Sequence, residues 1–336
     1  MSKIKAAIVG CGGVHNVHAQ TLKKLDTTEL VAVCDNVASK AEASSEKYGA
    51  EIRKFEDILN DSEIKSVHIC TPHFLHARMA IQAMEAGKMV LLEKPLATSL
   101  KDAEMVLATS VEKSAHIGIS FQNRYRPVIR KAYDMMRDGS LGKILGGRAM
   151  VTWMRDAAYY QSVDWRGSWK REGGSLLINQ TIHTLDLLHW LFGGFREITG
   201  SISRHVFDGI IETEDTAELR FMTESNRPVL FYATTGYIED SAVFIEIAAE
   251  NAKLRIEEDL KITWKDGRTE TLTEEQASGP KAYWGVQHEA LIADFYRSYI
   301  EGEKFSIDVS EAINAIRMLD KIYNDPAINH CGSKPK

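Results

Sequence analysis

The sequence predicts an α/β protein in two parts. The first is a doubly wound parallel sheet; the second is an α+β domain on a large, mainly antiparallel open sheet. Three observations carry this. Short apolar runs alternate with amphipathic helical patterns as far as Phe121. A glycine turn, GCGG, joins the first of those runs to the first helical pattern. Beyond Phe121 the texture changes to alternating apolar and polar strand segments broken by hairpin-like turns.

The early apolar runs are IKAAIVG, ELVAVCD, SVHICTP, MVLLEKP and HIGISF. Between them lie HAQTLKKL, ASKAEASSEKYG, FEDILND, HARMAIQAMEAGK and LKDAEMVLATSVEKS, all of helical pattern. Strands this apolar are covered on both faces, as in a parallel sheet, and right-handed crossovers make it doubly wound. A helix is then expected from Pro127 to Asp138, with proline in its first turn and Gly139 just past its end. The segments ILGGRAMVTWM, EITGSISRHV, TAELRFMTE, RPVLFYATTG, AVFIEIAAE, AKLRIEE and KITWK read as strands of a largely antiparallel sheet. One apolar helix, GSLLINQTIHTLDLLHWLFGG, interrupts them, and VQHEALIADFYRSYIEG and SEAINAIRMLDKIYND close the chain as helices. No repeat or low-complexity linker appears. The expected domains are 1–121 and 122–336, with the C-terminal helix free to pack back on the first.

A length of 336 residues exceeds one ordinary core. The net charge of −6 without a basic run argues against nucleic acid or an anionic membrane as partner. No stretch nears the roughly 20 apolar residues that span a bilayer. The start MSKIKAAIVGCGG runs straight into a strand, leaving no room for a signal peptide. Cys11, Cys34, Cys70 and Cys331 form neither a CxxC pattern nor a disulfide framework, so a reducing cytoplasm is expected.

Gly10, Gly12 and Gly13 stand between the first strand and first helix, followed by Val14 and His15. Gly10 permits a tight turn, and Gly12 lets backbone N–H groups approach a pyrophosphate at the helix N-terminus. Asp35 ends the second strand where a ribose hydroxyl would be gripped, completing a Rossmann dinucleotide pattern. His15 stands where the third glycine of the fingerprint belongs. A carboxylate at Asp35 repels a 2′-phosphate, so NAD is expected, with NADP the alternative. Lys94, between Glu93 and Pro95, raises a separate question, because a lysine at the tip of a buried strand is either ornament or chemistry.

Three stretches, AAIVGCGGVH, TPHFLHARMAIQAMEAGKMVLLEKPLA and DWRGSWKREGGSLLINQTIHTLDLL, resemble the glucose–fructose oxidoreductase, inositol dehydrogenase and rhizopine-catabolism (Gfo/Idh/MocA) family. The likeness runs over nearly the whole chain and is not specific for a substrate. It implies that Lys94 lies in the active site beside the nicotinamide, on a Lys–Pro peptide that is often cis. A partly desolvated lysine there can share protons with a substrate oxygen. The resemblance also places Thr71, Pro72, His76, Glu93, Asn123, Arg124, Trp165 and Arg166 near the cofactor. Trp153, Arg155, Tyr159 and Tyr160 fall where members line the sugar site, and aromatic faces with a few polar donors suit a polyol.

Asn179, His183 and Asp186 sit at helical spacings of four and three. A histidine on an apolar helix is more often a satisfied core group than a catalyst. The resemblance reverses that and makes His183 the general base, acting near neutral pH. Asn179 stands where many members carry an acid; it can orient a hydroxyl but not carry a proton. Asp186 is expected to orient His183 or to bond within its helix. No HExxH pattern or facial carboxylate set appears, so no metal is expected.

The expectation is a cytoplasmic NAD-dependent oxidoreductase acting on a sugar, inositol or related polyol, assembled as a homodimer or homotetramer. Lys94, His183 and Asn179 form its catalytic set. Two rivals share these residues. One is a redox-assisted sugar eliminase or glycosidase that recycles bound NAD. The other is a sugar- or NAD-sensing regulator that has lost catalysis.

Overall fold

The computed structural model describes residues 3–274 and 287–331. The chain divides into one unit of Met1–Gln122 with Gln287–Ile316 and another of Asn123–Val286 with Arg317–Lys336. Residues 287–316 thus belong with the first unit, although they follow the second in sequence.

In the first unit, β1 (Ile4–Val9), β2 (Thr28–Cys34), β3 (Glu51–Ile52), β4 (Ser66–Ile69), β5 (Met89–Leu92) and β6 (Ile117–Ile119) form one sheet. Its order is β3-β2-β1-β4-β5-β6, and every pairing is parallel. Helices α1 (His15–Lys24), α2 (Ala38–Tyr48), α3 (Phe55–Asn60), α4 (His76–Glu85) and α5 (Leu100–Glu112) link the strands. Ala6, Ala7, Ile8, Val67, Ile69, Val90, Leu91 and Leu92 are wholly buried, which explains why these strands read as unbroken apolar runs. The strand order reverses between β1 and β4, so ligands of such a sheet bind at the carboxyl ends of these strands. Gly10, the stub after Cys70 and Glu93–Lys94 end three adjacent strands there.

The second unit holds α6 (Pro127–Met135), β7 (Ile144–Thr152), α7 (Ala157–Gln161), α8 (Ile182–Phe192), β8 (Glu197–Ser203), β9 (Thr216–Met222) and β10 (Pro228–Thr234). It continues through β11 (Phe244–Ala249), β12 (Ala252–Ile256), β13 (Leu260–Trp264) and β14 (Thr269–Leu272). Next come α9 (His288–Ile300) in the first unit, α10 (Val309–Asn324), whose residues divide between the units, and β15 (Ile328–Cys331) in the second. The nine strands run β14-β13-β12-β11-β7-β10-β9-β8-β15. Only the β7–β10 and β8–β15 pairs are parallel. Ala149, Val151, Val229, Phe231, Leu219 and Phe221 face the core, and Phe192 of α8 lies against Gly147. The other face turns out Leu230, Tyr232 and Met150.

Three local features depart from the sequence expectation. The short strands β3, β14 and β15 and the one-and-a-half-turn α7 were not foreseen; pairs of two to four residues carry too little periodicity. The helix from Pro127 ends at Met135 rather than Asp138. The apolar helix is not one α-helix: residues Leu176–Gln180 form a wider π-turn, and the α-helix begins at Ile182. Glu214 explains the widening. Its buried Oε1 accepts from the backbone N–H groups of Ser175 and Leu177 at 3.2 and 3.0 Å, and the turn closes through Thr181 N–H to Leu176 carbonyl at 2.8 Å. Asn179 therefore precedes the α-helix that carries His183 and Asp186. Val286, expected to start the penultimate helix, lies outside the described residues.

Candidate active site

The turn after β1 is shaped by close approach. Gly10 has φ +97°, and a Cβ there would sit 2.6 Å from the Cys70 carbonyl carbon and oxygen. Only glycine fits both demands. Gly12 is the opposite case, since a Cβ on it would meet nothing within 4 Å. Helix α1 follows with no side-chain cap on its first turn. An uncapped helix start beside an open glycine is the cradle a pyrophosphate needs, so the residues present fit a dinucleotide. Asp35 ties this turn to β2: Oδ2 accepts from Cys11 N–H at 2.7 Å and Oδ1 from Val37 N–H at 2.8 Å. His15 is buried, its Nδ1 lies 2.5 Å from the Gly12 carbonyl, and its Nε2 has no hydrogen-bond partner. Burial holds its pKa below the ordinary histidine value.

Lys94 leaves β5 partly exposed, and the Lys94–Pro95 peptide is cis, as the family resemblance implies. Its surroundings hold it from two sides. His76, fully buried, sits between the Pro95 carbonyl at 2.7 Å and the Thr71 carbonyl at 2.8 Å, binding the stub of β4 to that of β5. Glu93 points the other way, into a buried network. Tyr296 donates its hydroxyl to Ser66, so His68 must donate Nε2–H to Tyr296 at 2.9 Å. His68 Nδ1 is then an acceptor, and His18 donates Nδ1–H to it at 2.8 Å. His18 Nε2 faces Glu93 Oε1 at 2.9 Å. Burial pushes the Glu93 carboxyl up, but the His18 hydrogen bond and the charges of His18, His288 and Lys94 outweigh it and hold it down at about 2. Against an ionised carboxylate His18 Nε2 serves as the donor. His18, Glu93 and His288 bring ligand-type atoms within 4.8 Å of one another.

In the second unit His183 is half-buried in the first turn of α8. Asp186, expected to orient it or bond within the helix, forms a buried two-pronged pair with Arg124. Nε donates to Oδ2 at 2.7 Å and Nη2 to Oδ1 at 2.6 Å. Asn179 donates Nδ2–H to Glu172 Oε1 at 2.6 Å. Arg155 donates to Gln180 Oε1 at 2.9 Å and pairs with Asp240, while Gln180 donates to the Tyr159 hydroxyl at 2.6 Å. Arg166 lies over the Tyr159 ring at 4.0 Å and donates to the Tyr159 carbonyl, with Trp165 alongside. Tyr160 instead turns into a core of Phe207 and Ile211, its hydroxyl on Thr235. Trp153 is also buried and donates Nε1–H to the Ser241 carbonyl. Asn123 opens this unit, in the short turn Gln122–Tyr125.

Residues 4–121 match a family model described as "Oxidoreductase family, NAD-binding Rossmann fold", and residues 129–255 match the "GFO/IDH/MocA C-terminal domain". The chain belongs to the Gfo/Idh/MocA oxidoreductase family. A D-apiose dehydrogenase of Paraburkholderia graminis is 26% identical over 304 residues, 87% of this chain and 78% of that protein. An inositol 2-dehydrogenase of Rhizobium meliloti is 31% identical over 193 residues, 56% of this chain and 55% of that protein. The chain thus matches several curated relatives over about half of their length. Among solved structures, the WlbA dehydrogenase of Chromobacterium violaceum, in complex with NADH and UDP-GlcNAcA, is 26% identical with a TM-score of 0.84; 96% of this chain and 93% of that chain are covered. An oxidoreductase domain protein from Kribbella flavida shares the fold, with a TM-score of 0.86 at 21% identity and 96% of each chain covered.

Within this Gfo/Idh/MocA chain, sequence reasoning missed His18, His68, Glu172 and Glu214. The string REGGSLL does display Glu172 beside the glycine pair, a carboxylate in an otherwise apolar stretch. Two outcomes follow from the geometry. Gly10→Ala should unfold the first unit at lower temperature in calorimetry, whereas Gly12→Ala should keep the melting temperature and weaken NAD binding in titration calorimetry. Arg124→Ala strands a buried carboxylate and should cost about 3–5 kcal/mol in urea unfolding.

Proposed function

We propose that the chain is a NAD-dependent dehydrogenase acting on a CH–OH carbon of a sugar, inositol or related polyol. Lys94 carries the reading. In a chain of this family it stands at the carboxyl end of β5, two strands from a glycine turn open to a pyrophosphate. When bound, the nicotinamide accepts the hydride from the substrate carbon. His183 takes the hydroxyl proton as general base, and the Lys94 ammonium stabilises the oxygen as its proton leaves. Asn179, Arg155 and Trp153 are proposed to contact the polyol. Gly10, Gly12, Gly13, Val14, His15, Asp35, Thr71, Pro72, His76, Glu93, Asn123, Trp165 and Arg166 are proposed as the cofactor's surroundings.

NAD is preferred over NADP on two grounds. Asp35 presents a carboxylate, and Arg53, one of the bases near it in sequence, is taken by Glu51 and Asp61. No step requires a metal. Among the described residues no helix is long and apolar enough to cross a membrane. Cys11, Cys34 and Cys70 are free thiols, which supports placing the protein in the cytoplasm. On the open face of the second sheet Tyr232 pairs with Met150 on the next strand, and Leu230 is 54% exposed. These apolar side chains support a homodimer or homotetramer joined through that face.

Lys94→Ala and His183→Ala should each lower turnover by about 10²–10⁴-fold with NAD affinity retained. Absorbance at the NADH band, run with a set of sugars and inositols, reads this; full activity in both variants would refute the assignment. Leu230→Asp should move the protein toward monomer in light scattering while the circular dichroism spectrum stays unchanged.

A further inference from the structure

His15 stands where a dinucleotide fingerprint has its third glycine, and its ring meets the turn itself. Nδ1 lies 2.5 Å from the Gly12 carbonyl oxygen. A carbonyl only accepts, so Nδ1 carries the proton and donates it. We propose that His15 is a positioning residue that turns the Gly12–Gly13 peptide so that its N–H, not its carbonyl, faces the pyrophosphate. The proposal rests on the reading of the glycine turn as the dinucleotide cradle.

The reason lies in the peptide plane. Among the described residues the cis bond is Lys94–Pro95, so Gly12–Gly13 is trans. A trans peptide points its C=O and its N–H in opposite directions. His15 is 7% exposed, so its hydrogen bond draws the Gly12 carbonyl toward the buried side. The Gly13 N–H then points the other way, and Gly13 is exposed. Sterics do little to hold this plane. Glycines flank it on both sides, and a Cβ on Gly12 would meet nothing within 4 Å, so the peptide can turn over. Turned over, it would set a carbonyl oxygen against an anion. The imidazole supplies the hold that the glycines do not.

The ring's other contacts keep it in that place. Its Nε2 is buried and has no hydrogen-bond partner among the described residues. With the proton on Nδ1, Nε2 of the neutral ring is a bare acceptor. Burial is the largest cause holding the pKa below the ordinary histidine value, and Lys47 and His18 lower it further, while the Gly12 hydrogen bond and Asp35 raise it. The ring meets Tyr48, the last residue of α2, edge-on with 6.1 Å between centroids. Tyr48 donates its hydroxyl to Asn16 Oδ1 at 2.6 Å, and Lys47 donates to the same oxygen at 2.9 Å. The first turn of α1 is thus tied to the last turn of α2. A glycine at position 15 would remove the donor and the ring together, so restoring the fingerprint should harm the cradle.

The first test uses the full-length protein labelled with ¹⁵N-histidine, in which the signals lost in His15→Asn or His15→Gly are assigned to His15. Near neutral pH, long-range proton–nitrogen correlation should show Nδ1 protonated and Nε2 bare. A proton on Nε2 instead overturns the proposal, and this measurement needs no ligand. Titration calorimetry with NAD is the second test. His15→Gly and His15→Ala should each weaken binding about tenfold. His15→Asn, whose amide keeps a donor at the place of Nδ1, should bind close to wild type. Tyr48→Leu removes the ring contact but not the donor and should leave the affinity unchanged. His15→Gly protein that binds NAD as tightly as wild type overturns the proposal, and so does His15→Asn protein as weak as His15→Gly. The third test needs no variant at His15 to fold. In wild type carrying ¹⁵N-glycine, NAD should move the Gly13 amide proton downfield, and an unmoved signal overturns the proposal. If wild type binds no NAD while Nδ1 carries the proton, the cradle reading fails, the positioning role falls with it, and the hydrogen bond survives.

Discussion

A single buried hydrogen bond, between the His18 imidazole and the Glu93 carboxylate at 2.9 Å, holds the carboxyl edge of the first sheet together. His18 comes from α1, His68 from β4, Glu93 from the end of β5, and Tyr296 and His288 from α9. A carboxylate as buried as Glu93 is tolerable only with a charged, hydrogen-bonded partner. The polar chain therefore specifies one arrangement of four elements, where an apolar core would accept several. Because Glu93 is pinned inward, its neighbour Lys94 leaves the strand from a fixed point. The direction in which the lysine leaves the strand depends on a neighbour whose own side chain is turned into the core.

The second unit solves a similar problem with different chemistry. Two buried carboxyls, Glu172 and Glu214, stand beside the π-turn, and backbone and amide N–H groups and the Tyr323 hydroxyl donate to them. The cost appears in both acids as a pKa raised chiefly by burial. The Arg124–Asp186 pair takes the opposite course, with a full charge on each side and two parallel hydrogen bonds. The helix that carries Asp186 thus follows a turn beside two acids whose pKa burial raises, and itself holds an ion pair.

What the sequence disclosed and what it hid divide along a physical line. The glycine turn, the strand ending in Glu93–Lys94–Pro95 and the apolar faces follow from local rules of backbone sterics and periodicity, and they stood where expected. The Asp186–Arg124 pair was hidden because the two lie 62 residues apart and no spacing rule joins them. The π-turn was invisible because its cause, Glu214, lies on another element. His18 and His68 looked like ordinary core histidines, and only the direction of the Tyr296 hydroxyl orders their protons. Tyr160 had the composition of a pocket wall and went into the core, while its neighbour Tyr159 meets Gln180 and Arg166. Both rings touch the same cluster but are buried to different depths, and composition alone does not say which goes deeper.

Asp35 holds the backbone of Cys11 on one oxygen and that of Val37 on the other. If Asp35 selects the coenzyme as proposed, coenzyme choice and loop architecture are written in the same side chain. Swapping it for a small neutral residue to welcome an extra phosphate would also release the amide beside Gly10 and Gly12, loosening the very cradle the new coenzyme must occupy. Under the proposed function, retuning the chain toward the phosphorylated coenzyme calls for a substitute that still accepts from both amides, and only then for an added base.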